Sequence, residues 1–443
     1  MAKASKIFEP HFPFSPACIP FFYGWVIFFS SLCGRLISVS GHSAGIAPFT
    51  EHLIATLGIS RVCYSNILFF ATVASSFFLP FFGRLFDRSG TRRAMTYSGI
   101  ALGLTYLFFG HIDVFIGSIQ RITSSTTGAV CVLFVGFFLL KLLGQNLVPL
   151  ASRLMILLWY DRKSCTMMGL SGVFTSVIFG MIPPLTHLLL THFGHLETWK
   201  ILGMATIFCF VPIIWGTCRD SPQSIGLALD AEPDPAKDAV LDETLIRDKT
   251  LGEAFRTFDF WIFMAAIANS VFITNGFQIH IVDIFREMHA CTSNAMDIFP
   301  PAAIISAVFS LLLGIFLDRI SIRFALVATF LVGIFVAILL EYINRRVGFY
   351  VWVFFFGVNW ALYGIIFSVP WAKLFGRKHL GQIMSMVSAI ALFFAAIAPS
   401  IFAYARQFGS YFWVTRLLLV GSSIGFLVSV AHVLRQKFSP RKK

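Results

Sequence analysis

The sequence predicts an all-α membrane protein with twelve transmembrane helices in two pseudo-symmetric six-helix bundles. Three observations lead there. The 443-residue chain is 57% hydrophobic and only 12% charged, with a mean hydropathy of +0.81. A soluble protein of that length could not hide so much apolar surface, because roughly half of its residues must face water. The apolar stretches are continuous rather than alternating, which favours helices over a closed barrel as the element that satisfies its own backbone in hydrocarbon.

The second observation is the stretch GRLFDRSGTRR at 83–93. It lies between apolar runs of about twenty residues, each long enough to cross a bilayer. A carboxylate and four arginines cannot sit in hydrocarbon, so the stretch is a short aqueous turn. The third observation is its recurrence. GIFLDRISIR repeats the spacing G-x3-D-R-x3-R, so that Gly83, Asp87, Arg88 and Arg92 match Gly314, Asp318, Arg319 and Arg323 at one common offset of 231 residues. A frame that returns once, in the corresponding loop of each half, marks a duplicated membrane bundle.

The net charge of +13 does not imply nucleic acid as a partner. Of the 34 Lys and Arg, 24 fall in segments assigned to the cytosol, eight in or beside the opposite loops and two within spans. That asymmetry is the positive-inside pattern and places both termini in the cytosol. The eight cysteines are scattered singly. They suggest neither a zinc site nor a disulfide framework, and no metal or cofactor is expected. The first apolar run begins near Phe21, has full span length and lacks a cleavage signature, so it is read as the first helix rather than a signal peptide.

In chain order, residues 1–20 form a cytosolic lead-in and 21–218 a first bundle. Its spans are expected at 22–49, 62–82, 94–110, 128–150, 166–190 and 199–217, with a Ser/Thr-rich outer loop between the third and fourth. Residues 219–257 carry 14 of the 55 charged residues and three prolines, and read as a cytosolic linker with room for one surface helix. The second bundle occupies 258–434, with spans at 258–282, 298–317, 324–340, 349–370, 382–404 and 412–434. Residues 435–443 are a cytosolic tail.

With six spans, a hydrophilic hinge, six more spans and the repeated loop frame, the chain resembles the major facilitator superfamily of transporters over nearly its whole length. Three further motifs resemble the monocarboxylate transporters and the related oxalate/formate antiporters. They are FYGWVI at 22–27, RDSPQSIGL at 219–227 and LFGRKHLGQI at 374–383. The resemblance implies alternating access, in which two bundles rock about a central site lined by spans 1, 4, 7 and 10. The loop frame then suits a gate latch. Asp87 can accept from a helix N-terminus or pair with Arg88 and Arg92, and Gly90 permits the tight turn.

A charge at the centre of a membrane helix costs roughly 2.5–3.5 kcal/mol on insertion scales, so each one needs a reason. Arg35, midway through span 1, and Lys141, midway through span 4, are the two basic residues so placed. No acid lies deep in any span, and Asp283 and Asp297 sit near outer ends, so a substrate anion is the natural partner of Arg35. His42 is two helical turns beyond Arg35 on the same face, with Ser38 between them. It falls about where monocarboxylate transporters carry a substrate-linked lysine, and histidine titrates near physiological pH. Lys141 and Gln145 are i, i+4 neighbours, and Lys141 stands where many facilitators carry an arginine. Asn275 and Gln278 share a face of span 7, and Asn359 and Tyr363 share one of span 10. His192, His195 and Glu197 resemble a metal cluster on paper but are read as solvated loop residues.

The expectation is a secondary active transporter of a small organic anion, in the resemblance a monocarboxylate, bound by Arg35 with His42 and Lys141 shaping the field. Coupling would be proton symport or anion exchange. Both related branches carry basic residues within span 8, and the oxalate transporters also within span 11. Neither interior holds one here, so a monoanion is expected rather than a dicarboxylate. The partners are that anion, the lipid bilayer and, for symport, protons. No nucleic acid is involved, a monomer is expected, and the cell (plasma or inner) membrane is the default location. Rival readings are efflux of drugs or amphipathic metabolites, a non-transporting nutrient sensor on the same fold, and a membrane acyltransferase built on His192 and Glu197. No enzyme activity is expected.

Overall fold

The computed structural model describes residues 8–16, 19–57, 59–123, 126–227, 229–231, 248–290, 298–407 and 409–438. Every regular element among them is helical. Among the described residues ten helices are long and apolar enough to cross a membrane, and Thr91–Gly110 joins them when taken with the bent segment that follows it. The 54-residue run Ser164–Thr217 counts once in that tally, yet its backbone leaves helical geometry at Gly194 (φ 76°, ψ 172°) and turns back as a second span. Twelve spans result.

In order, span 1 is Gly24–Ser38, span 2 is Arg61–Ser89 and span 3 is Thr91–Gly110. Span 4 runs through Thr126–Leu140, Lys141–Leu147 and Val148–Trp159. Spans 5 and 6 share Ser164–Ala205, and span 6 finishes at Val211–Thr217. Spans 7 to 12 are Phe258–Glu287, Phe299–Arg319, Arg323–Leu339, Arg346–Ile366, Leu380–Gln407 and Phe412–Phe438. Hydroxyl caps start several of them. The Ser60 side chain accepts from the Cys63 N–H, and that of Thr257 from the Phe260 N–H. Large apolar side chains such as Phe77 and Phe208 stand more than 70% exposed on the helix exteriors, a surface that lipid rather than water can cover.

Three expectations change. The outer loop after span 3 contains a helix, Ile112–Thr123, bent 65° from span 3 over the residues tested. Ile112 and Ile116 bury one stripe of it, and Asp113 favours its N-terminus. Span 1 stops being α-helical at Ser38 and continues as a 3₁₀ turn, Val39–Gly41, and further short helical pieces. Span 4 runs on to Trp159, nine residues past its expected end. In the linker, Leu251–Phe255 forms one short helix behind a Thr250/Glu253 capping box. The linker's centre, Asp297 and the last five residues lie outside the described residues.

The chain forms two compact units. The first holds residues 1–161, 174–245 and 377–389, and the second 162–173, 246–376 and 390–443. The start of span 5 thus groups with the later helices, and the start of span 11 with the earlier ones.

Candidate functional site

In the first unit, spans 1 and 4 run antiparallel and touch at two glycines. A Cβ on Gly34 would come within 2.5 Å of Ser152 Oγ. A Cβ on Gly41 would come within 2.6 Å of the Gly144 Cα, so there the two backbones meet. Hydrogen at both positions lets the helices approach this closely. The upper contact coincides with two local departures from α-helix, the 3₁₀ turn of span 1 and a π-helical stretch, Lys141–Leu147, in span 4. Wide turns of this kind insert a residue and re-aim the side chains beyond.

This packing brings the pair Arg35 and His42 of span 1 to the pair Lys141 and Gln145 of span 4, which spacing within either helix does not fix. It adds Arg153. The chain places Arg153 inside the helical span, one residue from the Gly34–Ser152 contact, where the sequence reading had it in an aqueous segment. Lys141, Arg153 and Arg35 all act electrostatically on His42, and Arg153 acts on Arg35. Lys141 is 1% exposed with no ion-pair partner among the described residues. The buried Nε of Arg35 and Oε1 of Gln145 have no hydrogen-bond partner there either. Ser38 does not join the cluster, since its hydroxyl donates to the Arg35 carbonyl. Phe179 of span 5 packs edge-on against the His42 ring at 5.0 Å. Arg153 was legible from the run VPLASRLMILLW, which stays apolar around it through Trp159.

The two loop frames make matching bonds. Asp87 accepts from the Gly381 and Gln382 N–H groups at 2.7 and 2.8 Å, the second and third residues of span 11. Asp318 accepts from the Cys165 and Thr166 N–H groups at 2.9 and 2.8 Å, the second and third residues of span 5. Each carboxylate therefore satisfies two orphan donors at the positive end of a helix dipole. The motif glycines permit it. A Cβ on Gly83 would lie 2.4 Å from the Gly381 carbonyl oxygen, and one on Gly314 would lie 2.6 Å from that of Cys165.

Of the two roles expected for Asp87, the structure shows the helix N-terminus and not a pairing with arginine. Arg88 and its counterpart Arg319 are exposed. Arg92 is buried and donates to the carbonyls of Trp215, Glu9 and Phe12. Gly90 takes the expected positive φ of 82°, facing the Asp220 carboxylate, which caps span 3 through the Arg92 N–H.

Comparison with known proteins decides the family. A sequence model described as the Major Facilitator Superfamily matches residues 25–399. The chain belongs to the Major Facilitator Superfamily. No curated protein matches the chain. Among solved structures it is similar to the proton:xylose symporter XylE (TM-score 0.63, 12% identity, covering 94% of this chain and 96% of that one). It is also similar to a bacterial homologue of the iron transporter ferroportin (TM-score 0.62, 13% identity, 91% and 98% covered). A third is the human organic anion transporter MFSD10 (TM-score 0.60, 13% identity, 92% and 98% covered). At such identity the likeness establishes the fold alone.

In this facilitator the polar candidates of the second unit differ in their surroundings, and one of them, Asn359, bonds a neighbouring helix. Asn359 is fully buried, and its Nδ2 donates to Thr274 Oγ1 at 3.2 Å, while its Oδ1 has no partner. Asn275 Nδ2 donates to the Val271 carbonyl of its own helix, and Gln278 is exposed. Tyr363 is half-buried against Phe367. Sequence reasoning passed over His280, whose ring bonds the Tyr411 hydroxyl and the Pro399 carbonyl and stacks on Phe402. Near Gly194, His195 stacks on His52 at 5.4 Å and Glu197 pairs with Lys200, so the three loop residues seen as a group in the sequence have separate partners.

Proposed function

We propose that this facilitator is a secondary active transporter that moves a small organic anion by alternating access. The observation that carries the reading is the pair of buried cations on spans 1 and 4, Arg35 and Lys141, which no acid among the described residues neutralises. Burying an unpaired charge costs several kcal/mol, and an anionic substrate offsets that cost on binding. Arg35 presents a planar donor fork suited to a carboxylate. His42 and Lys141 set the surrounding field, and Gln145 and the polar groups of spans 7 and 10 (Asn275, Gln278, Asn359 and Tyr363) complete the candidate set.

In this reading the bundles 21–218 and 258–434 are the rocking bodies, and 219–257 links them. The carboxylate-capped helix starts at Asp87 and Asp318 latch the cytosolic side. Both termini face the cytosol, in a plasma or inner membrane. Coupling runs either by proton symport through His42 or by exchange of one anion for another.

The test is uptake of labelled pyruvate, lactate and formate into proteoliposomes, with an imposed pH gradient or with internal anion preloaded. Stimulation by the gradient identifies symport, and stimulation by preload alone identifies exchange. Arg35→Gln is expected to lower uptake at least tenfold at unchanged expression. Undiminished uptake by that variant would overturn the reading and favour efflux of amphipathic compounds.

A further inference from the structure

Spans 7, 9, 11 and 12 of the second unit carry two cavities, of about 640 and 570 Å³, on their exterior. Ile401 and Leu417 line both, so the two form one groove. It follows span 12 from Trp413 to Val428, a rise of roughly 22 Å against a hydrocarbon core of about 30 Å. Tyr404 and Trp413 flank one end and Trp261 the other, the placing of aromatic side chains at the two faces of a membrane. Leu417 and Ile424 are each more than half exposed, so the groove opens to the surrounding lipid. A Cβ on Gly421 would meet nothing within 4 Å, which leaves the floor of the groove bare at that point.

A cation stands at the Trp413 end. Arg416 is exposed, and its guanidinium lies 4.3 Å from the centre of the Phe412 ring and 5.7 Å from that of Trp413. It makes no hydrogen bond or ion pair among the described residues. Trp413, one turn before it, and Leu417, the next residue, both line the groove. An arginine close to the end of a span extends its head toward the headgroup layer, where the planar fork matches a phosphate. Lipid of some kind covers an apolar groove in the exterior of a membrane bundle, and the charge at its mouth selects which. We propose that the groove binds one anionic phospholipid, with its phosphate at Arg416 and one acyl chain laid along span 12 past Leu417 and Gly421. In the topology proposed above, that lipid belongs to the outer leaflet. The site lies in the second unit, whereas the buried cations lie in the first, and it does not depend on which substrate is carried.

The experiment strips the purified full-length protein of lipid in detergent and titrates it with phosphatidylglycerol or with phosphatidylcholine of identical acyl chains. Native mass spectrometry counts the bound lipid, and thermal shift gives the stability. One phosphatidylglycerol is expected to bind about tenfold or more tightly than phosphatidylcholine, because only its net charge answers Arg416. In Arg416→Gln that preference should fall to within about twofold. Gly421→Leu fills the floor of the groove where a Cβ meets no other atom, so it should weaken both lipids about tenfold while the midpoint of the lipid-free protein holds. Equal binding of the two lipids, or a preference that survives Arg416→Gln, would overturn the assignment of the headgroup and with it the proposal. Unchanged binding by Gly421→Leu would do the same for the groove. Dimers in the spectrum that Gly421→Leu dissociates would give the groove to a second copy of the chain instead.

Discussion

The two copies of G-x3-D-R-x3-R share their backbone chemistry and differ in their side-chain surroundings. In both, the carboxylate takes the second and third N–H groups of a helix, at Gly381 and Gln382 or at Cys165 and Thr166, and the glycine lies against the carbonyl of the first of these pairs. Around that common core the charges diverge. Lys373 stands 3.7 Å from Asp318, whereas Asp87 has no cation bonded to it among the described residues, and the nearby Arg84 reaches the Gln382 side chain instead. Arg92 is buried under three carbonyls, whereas its counterpart Arg323 is partly exposed and pairs with Asp259 at 3.6 Å. The Gly and the first Asp therefore answer to backbone geometry, which the duplication kept. The arginines answer to whatever lies next to them, which it did not.

The comparison breaks most visibly at the carboxylates. Asp87→Asn and Asp318→Asn each exchange charge-assisted bonds for neutral ones, and uptake should fall at least tenfold in both. The loss should be greater at Asp318, because Lys373 is then left beside a neutral amide. Equal effects in proteoliposome assays would mean that Lys373 contributes nothing to the latch.

Next come the final arginines. Arg92→Gln removes three bonds from a buried cation and should destabilise the protein by about 3 kcal/mol, read as a lowered denaturation midpoint. Arg323→Gln loosens a partly solvated pair and should cost less than about 1 kcal/mol. A reversed order would show that burial does not separate the copies. The smallest effect is expected from Lys373→Gln, about 0.5 kcal/mol and diminishing as salt is raised, while stability of the Asp87 copy should be indifferent to salt.

Much of this was legible in the chain. The spans follow from apolar length, and charge type and spacing gave Asp87 two possible roles, of which the bonds to the Gly381 and Gln382 N–H groups select the helix-end acceptor. Spacing within one helix paired Arg35 with His42 and Lys141 with Gln145, whereas the approach of the two pairs comes from the Gly41–Gly144 contact between spans 1 and 4. Arg153 was missed because its charge was taken as the aqueous end of span 4, although the run 148–159 stays apolar around it. The choice among partners for Arg92 was also hidden, because the carbonyls of Glu9, Phe12 and Trp215 come from segments 80 or more residues away in either direction.

The sequence by itself determined an all-helical membrane transporter fold, its internal duplication and the position of most buried cations, since hydropathy, glycine and charge act locally and survive any packing. The tertiary structure alone decided that Asp318 caps the start of span 5 and Asp87 the start of span 11. It also decided that spans 1 and 4 meet at the Gly34–Ser152 and Gly41–Gly144 contacts. These are meetings of backbone with backbone, governed by sub-ångström clearances that no spacing within one helix encodes.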